Sequence, residues 1–178
     1  SGHLGYAYEA LLALEPLFDA EARTFSLQYR ARNNRRATGS FYTPALIVEN
    51  LLDAALEPII SSRIDGAPAQ SKEAALLGIT VCDPSCGTGN FLIAAARQLA
   101  HRLAQLRSDE HRPDADVLQA AFCDVIRECI FGVDINPIAV ELCKHALWIE
   151  SRTDPSVVRS IDRHIKIGNA LLGATPEL

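Results

Sequence analysis

A chain of 178 residues that is 48% hydrophobic has enough apolar side chain for one domain with a buried core, which excludes a disordered segment or a peptide scaffold. A formal charge of −5 has the wrong sign for a surface that grips phosphates along its whole length, so any nucleic-acid contact is local or supplied by another part of the protein. No apolar run reaches the roughly 20 residues a bilayer needs, and the first residues lack an export signal, so a soluble cytoplasmic protein with no membrane partner is expected.

Leu4, Ala7, Leu11, Leu14, Leu17 and Phe18 recur at helical spacing and predict an amphipathic N-terminal helix. Thr24 to Tyr29 alternates, with Phe25, Leu27 and Tyr29 on one side and Ser26 and Gln28 on the other, as a short strand does. Arg30, Arg32, Arg35 and Arg36 then form the one concentrated basic stretch, read as a solvated loop with a phosphate contact as the alternative. Residues 1–36 are thus a lead-in to a core of 37–178.

Thr43-Pro44 is a helix start, the threonine as cap and the proline at the first helical position, with apolar spacing from Leu46 to Ile59. Ser61 to Ser71 reads as a surface connection, and a short helix from Lys72 to Leu77 closes at Gly78. Ile79 to Cys82 is an apolar strand that runs into a glycine loop, before Phe91 opens a long helix. Ser108 to Asp116 is a polar break, followed by a helix from Val117 to Arg127. Cys129 to Val133 is a second strand ending at Asp134, Pro137 starts a helix to Trp148, and Ile165 to Ile167 is a third strand ending in Gly168-Asn169. Strands alternating with helices predict parallel βα units, the repeating element of a doubly wound α/β sheet.

In such sheets ligands sit beyond the carboxyl ends of the strands. Gly87 and Gly89 let the backbone turn tightly and approach a ligand, although an ordinary strand-to-helix turn would also use them. Asp83 can meet a cation or an ammonium. Asp134 can accept from both ribose hydroxyls, a role compatible with capping the helix at Pro137, and Ile135 offers an apolar face for a purine. Asn169 has the donor and acceptor that an adenine edge requires, though asparagine is also a turn residue. Together they describe a pocket for an adenosine-containing ligand.

The loop narrows the choice. A dinucleotide site needs a third glycine where Leu92 stands, a nucleoside triphosphate site needs lysine where Asn90 stands, and Asp83 would repel phosphates. S-adenosylmethionine, which has no phosphate and carries an amino group and a sulfonium, suits it best. The cysteines Cys82, Cys86, Cys123, Cys129 and Cys143 lie mostly in apolar stretches without paired CxxC spacing, and His101, His111, His145 and His164 show no metal spacing, so neither disulfides nor a metal site is expected. Trp148 reads as packing, and Phe41 and Tyr42 as core, lid or ligand contacts.

Asp83-Pro84-Ser85-Cys86-Gly87-Thr88-Gly89-Asn90-Phe91-Leu92 resembles the first cofactor motif of amino-group DNA methyltransferases. Thr38 to Pro44 is similar to the motif upstream of it in the gamma-ordered adenine-N6 class, Gly132 to Pro137 to the second motif, and Ile167 to Leu172 to the third. The N-terminal segment resembles the lead-in of restriction-modification enzymes of the type IIG or type I modification-subunit kind. The resemblance implies a partial Rossmann-like methyltransferase sheet, its first three parallel strands with helices, behind an N-terminal helical segment. It further implies cofactor contacts from Thr43, Pro44, Asp83 and the Gly87 to Gly89 backbone on the methionine part, from Asp134 on the ribose, and from Ile135, Asn169 and Ala170 on the adenine, with Pro84, Asn90 and Phe91 also among the cofactor-binding residues. Asn169 departs from the aspartate usual in the third motif; its oxygen can still accept from the adenine amino group, so weaker binding is expected rather than none.

The motif that would transfer the methyl, D/N/S-P-P-Y/F/W, has no counterpart, because the sequence contains no Pro-Pro pair. No catalytic residue is therefore assigned. The expectation is an N-terminal piece of a longer enzyme, inactive alone, whose downstream catalytic and target-recognition segments act on double-stranded DNA. Its first strand should then be an edge with apolar faces, prone to self-association or to covering by another segment. Alternative readings are a non-catalytic module that binds S-adenosylmethionine, or a methyltransferase of RNA or of protein glutamine.

Overall fold

The computed structural model describes residues 14–29, 43–108 and 110–172. A first unit, Ser1–Tyr42, contains a hairpin, and every other described element belongs to a second, Thr43–Leu178. In the hairpin, β1 (Leu14–Asp19) pairs antiparallel with β2 (Thr24–Tyr29), Phe18 opposite Phe25. Asp19 Oδ1 accepts from the Glu21 and Ala22 amides at 2.9 Å, and Arg23 closes the turn in the left-handed region at φ 50.

The hairpin corrects the helix expected through Phe18. Pro16 lacks the amide an interior helical turn requires, and pairing with Thr24–Tyr29 recruits Leu14, Leu17 and Phe18 into a strand instead. Leu4 to Ala13, the basic stretch from Arg30 to Arg36 and the Thr38 to Tyr42 part of the upstream motif lie outside the described residues.

The second unit opens with α1 (Ala45–Ala55) and α2 (Glu57–Asp65). The cap of α1 is Pro44, whose carbonyl accepts from the Ile47 and Val48 amides at 2.9 and 3.2 Å; the Thr43 side chain makes no capping bond. Buried Val48, Leu52, Leu56, Ile60 and Ile64 form one stripe at every fourth position across both helices. Pro58 cannot donate to the preceding turn, so the helix breaks at Leu56 and restarts. The helix therefore reaches Asp65, beyond the expected stop at Ile59; the polar letters after Ser61 belong mostly to its exposed face. A 3-10 turn (Ala69–Ser71) leads into α3 (Lys72–Leu77).

Three parallel strands follow: β3 (Val81–Asp83), β4 (Ile130–Asp134) and β5 (Ile165–Ile167), in the order β3-β4-β5. Asp83 pairs with Gly132, and Asp134 with Ile167. The connecting helices are α4 (Asn90–Ser108), α5 (Ala115–Glu128), α6 (Pro137–Glu150) and α7 (Val158–His164). Helix α4 packs on β3 and β4, α6 on β4 and β5, and α4 lies along α5. Buried alanines at 95, 96, 100 and 104 of α4 and at 121 of α5 let the helices approach closely, around a core that includes Leu92, Leu99, Leu103, Ile126, Ile130 and Ile165. This is a mixed α/β fold, a partial Rossmann-like sheet flanked by helices.

Among the described elements, α7 with its leading 3-10 turn (Pro155–Val157) has no counterpart in the sequence reading. Its start was nevertheless encoded: Asp154 accepts from the Ser156 amide at 2.8 Å ahead of Pro155, the pairing of cap and proline that opens helices.

Candidate cofactor site

The loops after β3, β4 and β5 meet at one end of the sheet. After β3, Asp83 Oδ1 accepts from the Ser85 amide at 3.0 Å, the Cys86 amide donates to the Val133 carbonyl at 2.9 Å, and the Gly89 amide returns to the Cys86 carbonyl at 2.8 Å. The two glycines are required for different reasons. Gly87 has φ +54 with open space where a Cβ would stand, so only its backbone conformation calls for glycine. Gly89 has φ +87, and a Cβ there would lie 2.6 Å from the Cys143 sulfur.

At the end of β4, Asp134 is buried, 7% exposed. Its Oδ2 accepts from the Gly87 amide and its Oδ1 from the Asn136 amide, both at 2.8 Å. The cap of α6 is Asn136, which accepts from the Ile138 amide at 3.0 Å; Asp134 is not that cap. Ile135 beside it is 59% exposed, an apolar surface next to a buried carboxylate. After β5, the Gly168 amide donates to the Asp134 carbonyl at 3.0 Å, and exposed Asn169 accepts from the Leu171 amide at 3.0 Å through its Oδ1. That oxygen, expected to face an adenine, already closes a local turn; Ala170 beside it is exposed.

Asp83, Gly87, Asp134 and Gly168 are thus brought together, with Pro84 on the same loop, Asn90 and Phe91 in the first turn of α4 and Asn169 beyond Gly168. Thr43 and Pro44, at the head of α1, make no hydrogen bond to this cluster among the described residues. Burial pushes the Asp83 carboxyl above its ordinary range, against the Ser85 amide that lowers it, and the neighbouring Asp134 charge raises it further. Beneath the loop, contact with Cys86 and burial push the Cys143 thiol well up, so it packs rather than reacts. Among the described residues no group of three His, Cys, Asp or Glu side chains forms a metal site.

Two features were not read from the sequence. One is the hydrogen bond from Gly87 to Asp134, which joins residues 47 positions apart. The other is an apolar groove of about 650 Å³ along β3, lined by Leu52 of α1, Ile59 of α2 and Leu56 between them, and by Cys82, Asp83 and Phe91. Among the described residues β3 pairs only with β4, so its other side is the apolar edge the sequence predicted. No helix among the described residues is long and apolar enough to cross a membrane.

Comparison with known proteins gives this geometry a family. The chain is 26% identical, over 96% of its length, to the Methanocaldococcus jannaschii protein named "Putative type II restriction enzyme and methyltransferase RM.MjaORFECS2P". It is 27% identical, over 78% of its length, to "Adenine-specific methyltransferase PglX" of Streptomyces coelicolor. It spans only 16% and 10% of these relatives. The family model described as "MmeI, DNA-methyltransferase domain" matches residues 68–167, a stretch that holds all three parallel strands and the loops after β3 and β4. With more than half of its length in that match, the chain belongs to the MmeI DNA-methyltransferase domain family.

Proposed function

We propose that this chain is the S-adenosylmethionine-binding part of a DNA adenine-N6 methyltransferase from a restriction-modification or phage-defence system. The observation that carries the reading is a pair of neighbouring carboxylates, Asp83 and Asp134, beside a glycine loop at the strand ends. None of the described ion pairs neutralises either one. Such a site favours a cationic ligand without phosphates. The space above Gly87 leaves room for close approach to the backbone.

In this reading Asp83, Pro84 and the Gly87 to Gly89 backbone hold the methionine part, with Thr43, Pro44, Asn90 and Phe91 around it. Asp134 holds the ribose through lone pairs its backbone partners leave over, while Ile135, Asn169 and Ala170 border the adenine. The cofactor, when bound, supplies an electrophilic sulfonium methyl. The residues here bind and orient it; none removes a proton or receives the methyl.

The Pro-Pro-aromatic motif that would hold a flipped-out adenine is absent from the sequence, so further segments of the protein must supply it. The groove beside β3 suits a strand added parallel to that edge, which would carry such a motif to the loop after β3. Double-stranded DNA would then be bound by the larger protein, in keeping with the net charge of −5 here.

Isothermal titration with S-adenosylmethionine tests the reading. The chain should bind, and Asp134→Ala should weaken binding by about tenfold or more, as expected when a charged group loses its hydrogen-bonding partners. Equal behaviour of the two proteins would remove the site.

A further inference from the structure

The strand β4 is the middle strand of three, and it runs two residues beyond the point where β3 ends, since Asp83 is level with Gly132. A residue at its tip can therefore reach sideways to both neighbours. Asp134 does so, and each of its three oxygens accepts an amide. Its Oδ2 holds the Gly87 amide of the loop after β3, its Oδ1 the Asn136 amide of its own loop, and its main-chain oxygen the Gly168 amide of the loop after β5.

From this we infer that Asp134 is a positioning residue, a latch that holds the glycine loop in its binding shape before any ligand arrives. The inference goes beyond a ribose contact and needs no ligand to be true. Side-chain packing does not explain the shape at Gly87, because a Cβ there would touch nothing within 4 Å. The bonds at Ser85 and Gly89 close local turns, and two ties fasten the loop to β4: the Cys86 amide on the Val133 carbonyl, and the Gly87 amide on the Asp134 carboxylate at 2.8 Å. The second has a buried, charged acceptor, the stronger class of hydrogen bond. A loop already held pays less ordering entropy on binding, which is how a positioning residue raises affinity without touching the ligand.

The test reads the unliganded chain. Amide hydrogen exchange followed by NMR should show Gly87 protected by about tenfold or more over the adjacent Thr88, whose amide has no hydrogen bond among the described residues. In Asp134→Asn one oxygen is replaced by an NH2 group, so the Gly87 and Asn136 amides cannot both be accepted as before. Gly87 should then exchange about tenfold faster while Leu99 and Leu103 in α4 keep their wild-type rates, and affinity for S-adenosylmethionine should fall.

Equal rates at Gly87 and Thr88 in the wild type would overturn the latch, a result that stands even where the variant fails to fold. So would loss of affinity in Asp134→Asn with Gly87 exchange unchanged, which would leave Asp134 a ligand contact only. Acceleration at Leu99 and Leu103 along with Gly87 would overturn it too, by making the effect one of global stability. A wild type that shows the protection but does not bind S-adenosylmethionine would sink the proposed function and leave the latch standing.

Discussion

The loops after β3 and β5 stand on either side of the same central strand, yet they are built differently. The β3 loop is tied down at Ser85, Cys86, Gly87 and Gly89, and Cys143 packs beneath it. The β5 loop is joined to the sheet through Gly168, and its exposed Asn169, Ala170 and Leu171 are held by a local turn. One side of the candidate site is therefore preformed by long-range contacts, while the other is shaped by its own neighbours. In the proposed function the preformed side takes the charged methionine part, where an ordered backbone matters most.

The largest effect that would break this contrast is at Gly89. Gly89→Ala puts a Cβ 2.6 Å from the Cys143 sulfur at φ +87, and about 2–4 kcal/mol of stability should be lost. Thermal melting of Gly89→Ala and Gly89→Ala/Cys143→Ala checks the cause: the double variant should be relieved of the clash with the sulfur but not of the backbone strain. Gly87→Ala serves as the control, with strain alone costing about 1–2 kcal/mol. If both single variants melt alike, Cys143 does not set the height of the loop.

A smaller effect concerns charge. The folded protein holds the Asp83 proton to higher pH than the unfolded chain does, because burial and Asp134 disfavour its ionised form. The native state thus binds more protons in the window just above the ordinary carboxylate range, and stability falls as pH rises through it. Asp83→Asn, which keeps an oxygen for the Ser85 amide, should flatten that fall and raise the melting temperature at neutral pH. The same window should act oppositely on the ligand, since a cation gains as Asp83 ionises and S-adenosylmethionine should bind more tightly above it. A flat pH profile in the wild type would show that Asp83 is not so burdened.

The smallest effect is expected on the β5 side. Asn169→Ala removes only the turn bond to the Leu171 amide in an exposed loop, so stability should change by about 0.5 kcal/mol or less. A loss as large as that at Gly87 would mean that the two loops are equally structured.

Much of the fold was legible because it rests on local chemistry. The apolar run into Asp83-Pro84, the proline opening α6 and the short strand Ile165–Ile167 each follow from neighbours along the chain. The errors fell where two local readings competed. Leu14, Leu17 and Phe18 satisfy helical spacing, and only pairing with a second strand decides against it. The polar letters after Ser61 read as a connection, but Ile60 and Ile64 continue the stripe that packs the helix onto the core.

The site divides along the same line. Which residue types stand at the strand ends, two glycines, two aspartates and an asparagine, is determined by the sequence, because a strand's end and its loop chemistry are set within a few residues. That Asp134 accepts from Gly87, that Cys143 excludes a side chain at Gly89, and that a groove lies along β3 were decided only by the tertiary structure. Each depends on atoms far apart in the chain, brought together when the sheet orders its strands and the helices pack over it.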